Sequence, residues 1–215
     1  MNKLIIFDFD GTIVDSMWAW DELGFNTLTE KGLPIIPDYK SFIRTMSVPH
    51  FSEYLTRLYT DVFKDNLLSE WHKTMRYNYE NKIAFKKGAR EYLEYLKKKG
   101  YTLYLASATH DFLIDAALKH FGLQDFFDFV ITENQVGSSK RDPHTFNICM
   151  QRAGATAENT ILFEDANHAL KTAHTLGIRT CAVYDLSMEA FEDEIKSFCD
   201  YYINDFDDEL IYKIL

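Results

Sequence analysis

The sequence predicts a doubly wound, Rossmann-like parallel α/β sheet with an all-helical domain inserted after its first strand. Three observations carry this reading. Short stretches that are apolar on successive residues recur along the chain, as expected of strands buried on both faces. Amphipathic patterns at helical spacing lie between them. From about Ser16 to Lys82 the alternation stops and only helical patterns remain.

The first strand is Leu4–Phe7, followed by Leu103–Ala106, Phe129–Ile131, Ile161–Phe163 and Thr180–Val183. These runs are short and partly β-branched, which favours strands over fragments of buried helix. Ala89, Tyr92, Leu93 and Leu96 recur at helical spacing, and Lys97-Lys98-Lys99-Gly100 closes that helix with cations and a glycine stop. Leu113, Ala117 and Phe121 repeat the pattern up to Gly122, and Ala169, Ala173 and Leu176 up to Gly177. The insert reads as helices over 16–31, 38–45, 50–62 and 66–81, punctuated by Gly32, Pro34, Pro37 and Pro49. A crossover between parallel strands needs only about a dozen residues. The much longer connection is therefore expected to be a domain of its own, with the α/β core over 1–14 and 85–215 and the insert over 15–84.

The 215 residues are 47% hydrophobic and 26% charged, an ordinary globular composition that argues against disorder, collagen and coiled coil. The formal charge of −10 argues against a nucleic-acid or anionic-membrane surface, since both usually need a basic face. Residues 185–209 hold ten Asp or Glu against one Lys, and read as a solvated face near the C-terminus. Cys149, Cys181 and Cys199 are odd in number and form no CxxC pair, which fits a reducing compartment and buried small hydrophobes. The apolar run after Met1-Asn2-Lys3 ends at Asp8, unlike a signal peptide. No apolar stretch reaches the roughly 18 residues of a membrane span. The expectation is a soluble, cytoplasmic protein.

The most informative segment is Ile6-Phe7-Asp8-Phe9-Asp10-Gly11-Thr12. Two carboxylates stand at i and i+2 where a buried strand runs out. Ligands bind at the carboxyl ends of strands in open α/β sheets. Carboxylates crowded there repel one another and call for a divalent cation. Gly11 lets the chain turn away. A pair of aspartates in a strand-ending turn is the plain alternative.

Asp8-Phe9-Asp10-Gly11-Thr12 resembles the first signature of the haloacid dehalogenase superfamily of phosphatases and phosphomutases. Three more segments follow in that family's order. Leu105-Ala106-Ser107-Ala108-Thr109 resembles the second signature, Ser139-Lys140-Arg141-Asp142-Pro143 the third, and Ile161-Leu162-Phe163-Glu164-Asp165 the fourth. The helical insert stands where that family carries its cap, in the branch of phosphoglycolate phosphatase and β-phosphoglucomutase.

The resemblance implies roles, and the chemistry of phosphoryl transfer to an aspartate agrees with them. Asp8 is positioned like the nucleophile. Asp10 is positioned like the general acid that protonates the leaving oxygen and then the base that activates water. Asp8, the backbone carbonyl of Asp10 and Asp165 would bind Mg²⁺, with Glu164 either a further ligand or a group behind the ligands. Ser107, the Ala108 amide and Lys140 would bind the phosphoryl oxygens. For Ser107 alone a helix cap, and for Lys140 alone a surface lysine, are the plain alternatives. The sequence departs from the family pattern at Arg141, His144 and Ala169, where proline, an acidic residue and glycine are usual.

Arg44-Thr45-Met46-Ser47-Val48-Pro49-His50 resembles the cap loop that touches substrate, with Ser47 in place of the usual glycine. Arg44 and His50 are thus candidates for binding a polar or second anionic group, or simply surface residues. Among the seven histidines no HExxH pair points to zinc. His110 and His168 could approach the site, although a surface position is the plainer reading for each. Twelve aromatics from Trp18 to Tyr79 read mostly as core of the helical insert; Trp18 or Trp20 could instead face the leaving group.

The expected activity is Mg²⁺-dependent hydrolysis of a small phosphate monoester through an aspartyl-phosphate, by a monomer or homodimer. A β-phosphoglucomutase-like phosphomutase is the alternative, and a non-catalytic phosphate- or Mg²⁺-binding regulator a third reading. Asp10 speaks against a dehalogenase, because those enzymes attack carbon and lack a second aspartate there.

Overall fold

The computed structural model describes residues 3–43, 46–63 and 66–214. In chain order the strands are β1 (Leu4–Phe7), β2 (Val14–Asp15), β3 (Ala84–Phe85), β4 (Thr102–Ser107), β5 (Phe129–Thr132), β6 (Thr160–Glu164), β7 (Arg179–Val183) and β8 (Tyr201–Ile203). Six of them form one sheet in the order β5-β4-β1-β6-β7-β8, with every neighbouring pair parallel. β2 and β3 pair antiparallel in a short ribbon. The helices are α1 (Met17–Glu30), α2 (Tyr39–Ile43), α3 (Val48–Leu58), α4 (Leu67–Asn81), α5 (Ala89–Lys99), α6 (Asp111–His120), α7 (Glu133–Val136), α8 (His144–Ala153), α9 (Asn167–Thr175) and α10 (Glu192–Phe198).

The sheet is covered on both faces, which is why its strands read as unbroken apolar runs. Leu4 and Ile6 point one way, into a cluster with Tyr104, Leu162, Phe146 and Cys149 of α8, and Ala169 and Ala173 of α9. Phe7 points the other way. Its ring stacks on Phe163 at 4.8 Å and meets Tyr92 of α5 edge-on at 6.5 Å. Each of the five apolar runs is a strand, and four gain polar end residues such as Ser107, Thr132 and Glu164. Those polar ends leave the core where the site begins.

The acidic stretch 185–209 is not one solvated face. It contains α10 and the edge strand β8, and Asp185 within it is buried. An edge strand of mixed polarity, Tyr201-Tyr202-Ile203, offers no apolar run for a sequence pattern to detect. Cys149, Cys181 and Cys199 are free thiols, the first two buried. None of the described helices is long and apolar enough to cross a membrane.

The chain divides into two compact units, Met1–Ser16 with Ile83–Leu215, and Met17–Lys82. The second unit is helical. Helix α3 starts at Val48 rather than at residue 50, because Pro49 fits the first turn that its ring preorganises. Leu23, Leu28, Phe51, Leu55, Trp71 and Met75 are buried. Five of the twelve aromatics in this stretch are buried, namely Tyr39, Phe51, Phe63, Trp71 and Tyr79. Trp18, Phe25, Tyr54 and Tyr77 are exposed, so the aromatics are not mostly core.

Gly24 lets α1 pack closely: a Cβ there would stand 2.3 Å from the Phe51 ring and 2.5 Å from the Tyr39 hydroxyl. Gly24→Ala is expected to destabilise the helical unit by about 1–3 kcal/mol through overpacking. All three tryptophans, Trp18, Trp20 and Trp71, lie in this unit, so tryptophan fluorescence during urea unfolding reads the effect directly.

Candidate active site

The site stands at the carboxyl ends of the three central strands. The register pairs Phe7 with Leu105 of β4 and with Phe163 of β6. Asp8 follows Phe7, so it stands level with Ala106 and Glu164. Its backbone N–H donates to the Phe163 carbonyl at 2.9 Å, which extends the ladder by one residue. Ser107 ends β4 on one side of Asp8; on the other, Glu164 ends β6 and Asp165 follows it.

Carboxylate oxygens of Asp8, Glu164 and Asp165 lie within 4.8 Å of one another, and all three residues are buried. Lys140 enters this group from the loop after α7, with its side chain 3% exposed. Its ammonium donates to Asp8 Oδ1 at 2.5 Å, Glu164 Oε2 at 2.6 Å and the Ala106 carbonyl at 3.3 Å. Its backbone N–H donates to Glu133 Oε1 at 2.7 Å, which fixes the loop that delivers it.

With all three carboxyls ionised, one ammonium leaves a formal local charge of −2. Burial, and then the neighbouring Glu164, push the Asp8 and Asp165 carboxyls well above the usual range. Burial alone would lower the Lys140 ammonium, but Asp8 and Glu164 more than reverse it and hold the lysine charged. A divalent cation would supply the missing charge. The donor set is all oxygen, as Mg²⁺ prefers. Asp8 Oδ2 and Asp165 Oδ2 accept no hydrogen bond from the described residues, whereas both Glu164 oxygens are engaged, by Lys140 and by the Ala166 N–H at 3.1 Å. The residues therefore fit a cation on Asp8 and Asp165, with Glu164 supporting Lys140.

Asp10 lies one turn further on. Gly11 at φ 80° turns the chain, and its N–H donates to the Val14 carbonyl at 2.9 Å. Two hydroxyls clamp the Asp10 carboxylate: Ser16 Oγ donates to Oδ1 at 2.6 Å, and Thr109 Oγ1 to Oδ2 at 2.7 Å. Thr12 Oγ1 donates to Asp165 Oδ1 at 3.1 Å. Ser107 Oγ accepts from the Thr109 N–H at 3.1 Å, which leaves its own hydrogen for another acceptor. Ala108, between them, is exposed.

Asp8, Glu164, Asp165 and Lys140 are brought together, and Asp10 and Ser107 are joined to one another through Thr109. Ser16, Thr109 and Glu133 escaped sequence reasoning because Ser, Thr and Glu are common everywhere, and Thr109 acts through a partner 99 positions away. Thr12 was within the motif, yet nothing local marks its bond across 153 positions to Asp165. Arg44 lies outside the described residues. His50 belongs to the helical unit, is exposed, and has Nδ1 3.1 Å from Ser47 Oγ. His110 is exposed and pairs with Asp111 at 2.6 Å. His168 is not a surface residue. Half-buried in the first turn of α9, it is pushed down to about 3 by burial and then by Arg141 and Lys140, which keeps it neutral.

A family model described as haloacid dehalogenase-like hydrolase matches residues 5–183. The phosphorylated carbohydrates phosphatase of Thermotoga maritima is 26% identical over 179 residues, covering 82% of each chain. Among solved structures, one from Thermotoga maritima described as a candidate β-phosphoglucomutase superposes with a TM-score of 0.78 at 21% identity, over 99% of this chain and 100% of that one. YfnB of Bacillus subtilis, solved with magnesium bound, gives 0.74 at 20% identity over 100% and 98%.

The depressed His168 sets a sign for acid stability. Its folded pKa lies below the unfolded value near 6.5, so the unfolded chain takes up the proton first. Stability is complete above about pH 6.5 and falls as pH drops toward the folded value of about 3. His168→Gln is expected to lose about 2 kcal/mol less than wild type between pH 7.5 and 4.5, measured by urea unfolding at both pH values.

Proposed function

The chain belongs to the haloacid dehalogenase-like hydrolase family, and on that premise we propose that it hydrolyses a small phosphate monoester with Mg²⁺, through an aspartyl-phosphate on Asp8. One observation carries the proposal: three buried carboxylates gather at the strand ends with one buried ammonium, which bonds two of them, Asp8 and Glu164. Burial of uncompensated charge is costly, and a bound cation would offset that cost. The magnesium in YfnB and the phosphatase named in Thermotoga maritima support the same reading.

Asp8 and Asp165, with the Asp10 backbone carbonyl, would hold the cation. When bound, Mg²⁺ would draw negative charge from the phosphoryl oxygens and reduce their repulsion of the Asp8 carboxylate. Ser107 Oγ–H, the Ala108 N–H and the Lys140 ammonium orient the phosphoryl group. The Asp8 carboxylate attacks phosphorus, and the bond from phosphorus to the ester oxygen breaks. Asp10 gives its proton to that oxygen, and the alcohol leaves. Asp10, now a carboxylate, takes a proton from water, the resulting hydroxide attacks phosphorus, and the bond to Asp8 breaks to release phosphate. Ser16 and Thr109 keep Asp10 in place for both transfers. Residues 1–14 and 85–215 would form the catalytic core, and the helical stretch 15–84 the cap. Arg44 and His50 remain candidates for contacting the rest of the substrate.

Release of inorganic phosphate from a panel of phosphorylated metabolites, sugar phosphates included, tests the proposal. Wild type should act only with Mg²⁺, and Asp8→Asn should lose about 10⁴-fold or more in kcat. Asp10→Asn should lose about 10²–10⁴-fold while Mg²⁺ affinity stays unchanged. Silence on the panel with conversion of a hexose 1-phosphate would establish a mutase, in which a sugar hydroxyl replaces water as acceptor. Silence on both would leave a binding protein.

A further inference from the structure

A second buried ion pair stands beside the acidic cluster. Lys86, just past β3, donates from Nζ to the Tyr184 carbonyl at 2.5 Å and to Asp185 Oδ2 at 2.9 Å. The two side chains are only 10% and 6% exposed. Asp185 Oδ1 accepts from the Ser187 N–H at 2.9 Å, so its carboxylate is fixed from both sides. This pair takes no part in the phosphoryl chemistry, and the two residues are 99 positions apart.

Its place is set by a chain of contacts and by the pairing of two strands. β6 and β7 are neighbours, with Glu164 opposite Ala182, so Asp165 and Asp185 both leave the sheet at the same end. On the other side, Thr12 bonds Asp165, and the carbonyl of the adjoining Ile13 accepts from the Lys86 N–H at 2.9 Å. Asp165, Thr12, Ile13, Lys86 and Asp185 thus follow one another around the edge of the cluster.

We infer that Lys86 and Asp185 are a positioning pair for the divalent cation. Asp185 adds negative charge behind Asp165, Lys86 holds that charge in check, and the balance sets how tightly the cation is held. The inference rests on the reading that Asp8 and Asp165 hold Mg²⁺. A purely structural pair would behave differently, because either substitution would loosen the loops and weaken the site. An electrostatic pair gives opposite signs for its two members.

Calorimetric titration of Mg²⁺ into the metal-free protein at pH 7.5 separates these cases. Lys86→Met should tighten binding about tenfold and Asp185→Asn should weaken it about tenfold, as a unit charge acting on a divalent ion at this range would do. The double variant should return to within about threefold of wild type, and Lys86→Arg should match wild type. Shifts of both single variants in the same direction, or no shift in either, would overturn the inference. If Asp185→Asn fails to fold, Lys86→Met decides alone, since unchanged or weaker binding there contradicts it. Asp165→Asn is the control: loss of binding on that substitution places the cation at the cluster, whereas a wild type that binds no Mg²⁺ there would remove the underlying reading as well.

Discussion

Charge taken out of water is the constraint from which the rest of this structure follows. Asp8, Glu164 and Asp165 are brought together beneath the surface, and a single buried ammonium, Lys140, stands among them. In a low-dielectric interior each unpaired carboxylate is expensive, and together they oppose the fold that holds them. The sheet supplies the framework that makes this arrangement possible. β1 lies between β4 and β6, both faces are packed with large apolar side chains, and the strand ends finish level with one another. The stacked Phe7 and Phe163 lie immediately below the carboxylates that follow them in sequence. Packing there fixes the acidic groups where repulsion alone would separate them.

The same constraint gives each residue around the cluster a task. Lys140 neutralises one charge and is itself delivered by the Glu133 bond to its backbone. Thr12 holds one oxygen of Asp165. Ser16 and Thr109 hold Asp10 apart from the cluster, engaged by hydroxyls instead of by a cation.

Much of this was legible in the sequence because it is local. Unbroken apolar runs reported strands covered on both faces, and the residues just beyond Phe7, Ala106 and Phe163 had to lie at one end of a parallel sheet. The quoted motifs therefore placed Asp8, Ser107, Glu164 and Asp165 near one another before any coordinate was known. What escaped is non-local or compositionally plain. Thr109 and Ser16 are ordinary hydroxyl residues until Asp10 stands between them. β8 hides in an acidic stretch because an edge strand needs no apolar alternation. Lys86 and Asp185 sit in segments with no motif, and only the fold joins them. His168 read as a surface residue because its burial comes from the packing of α9, not from its neighbours in sequence.

A crystal soaked in Mn²⁺ shows whether a divalent ion makes up the local deficit of positive charge. One anomalous peak is expected at the strand ends, bounded by Asp8 and Asp165, with Lys140 still bridging Asp8 and Glu164. A cluster that stays empty at saturating Mn²⁺, or one in which Lys140 has withdrawn to leave the ion among all three carboxylates, would contradict it.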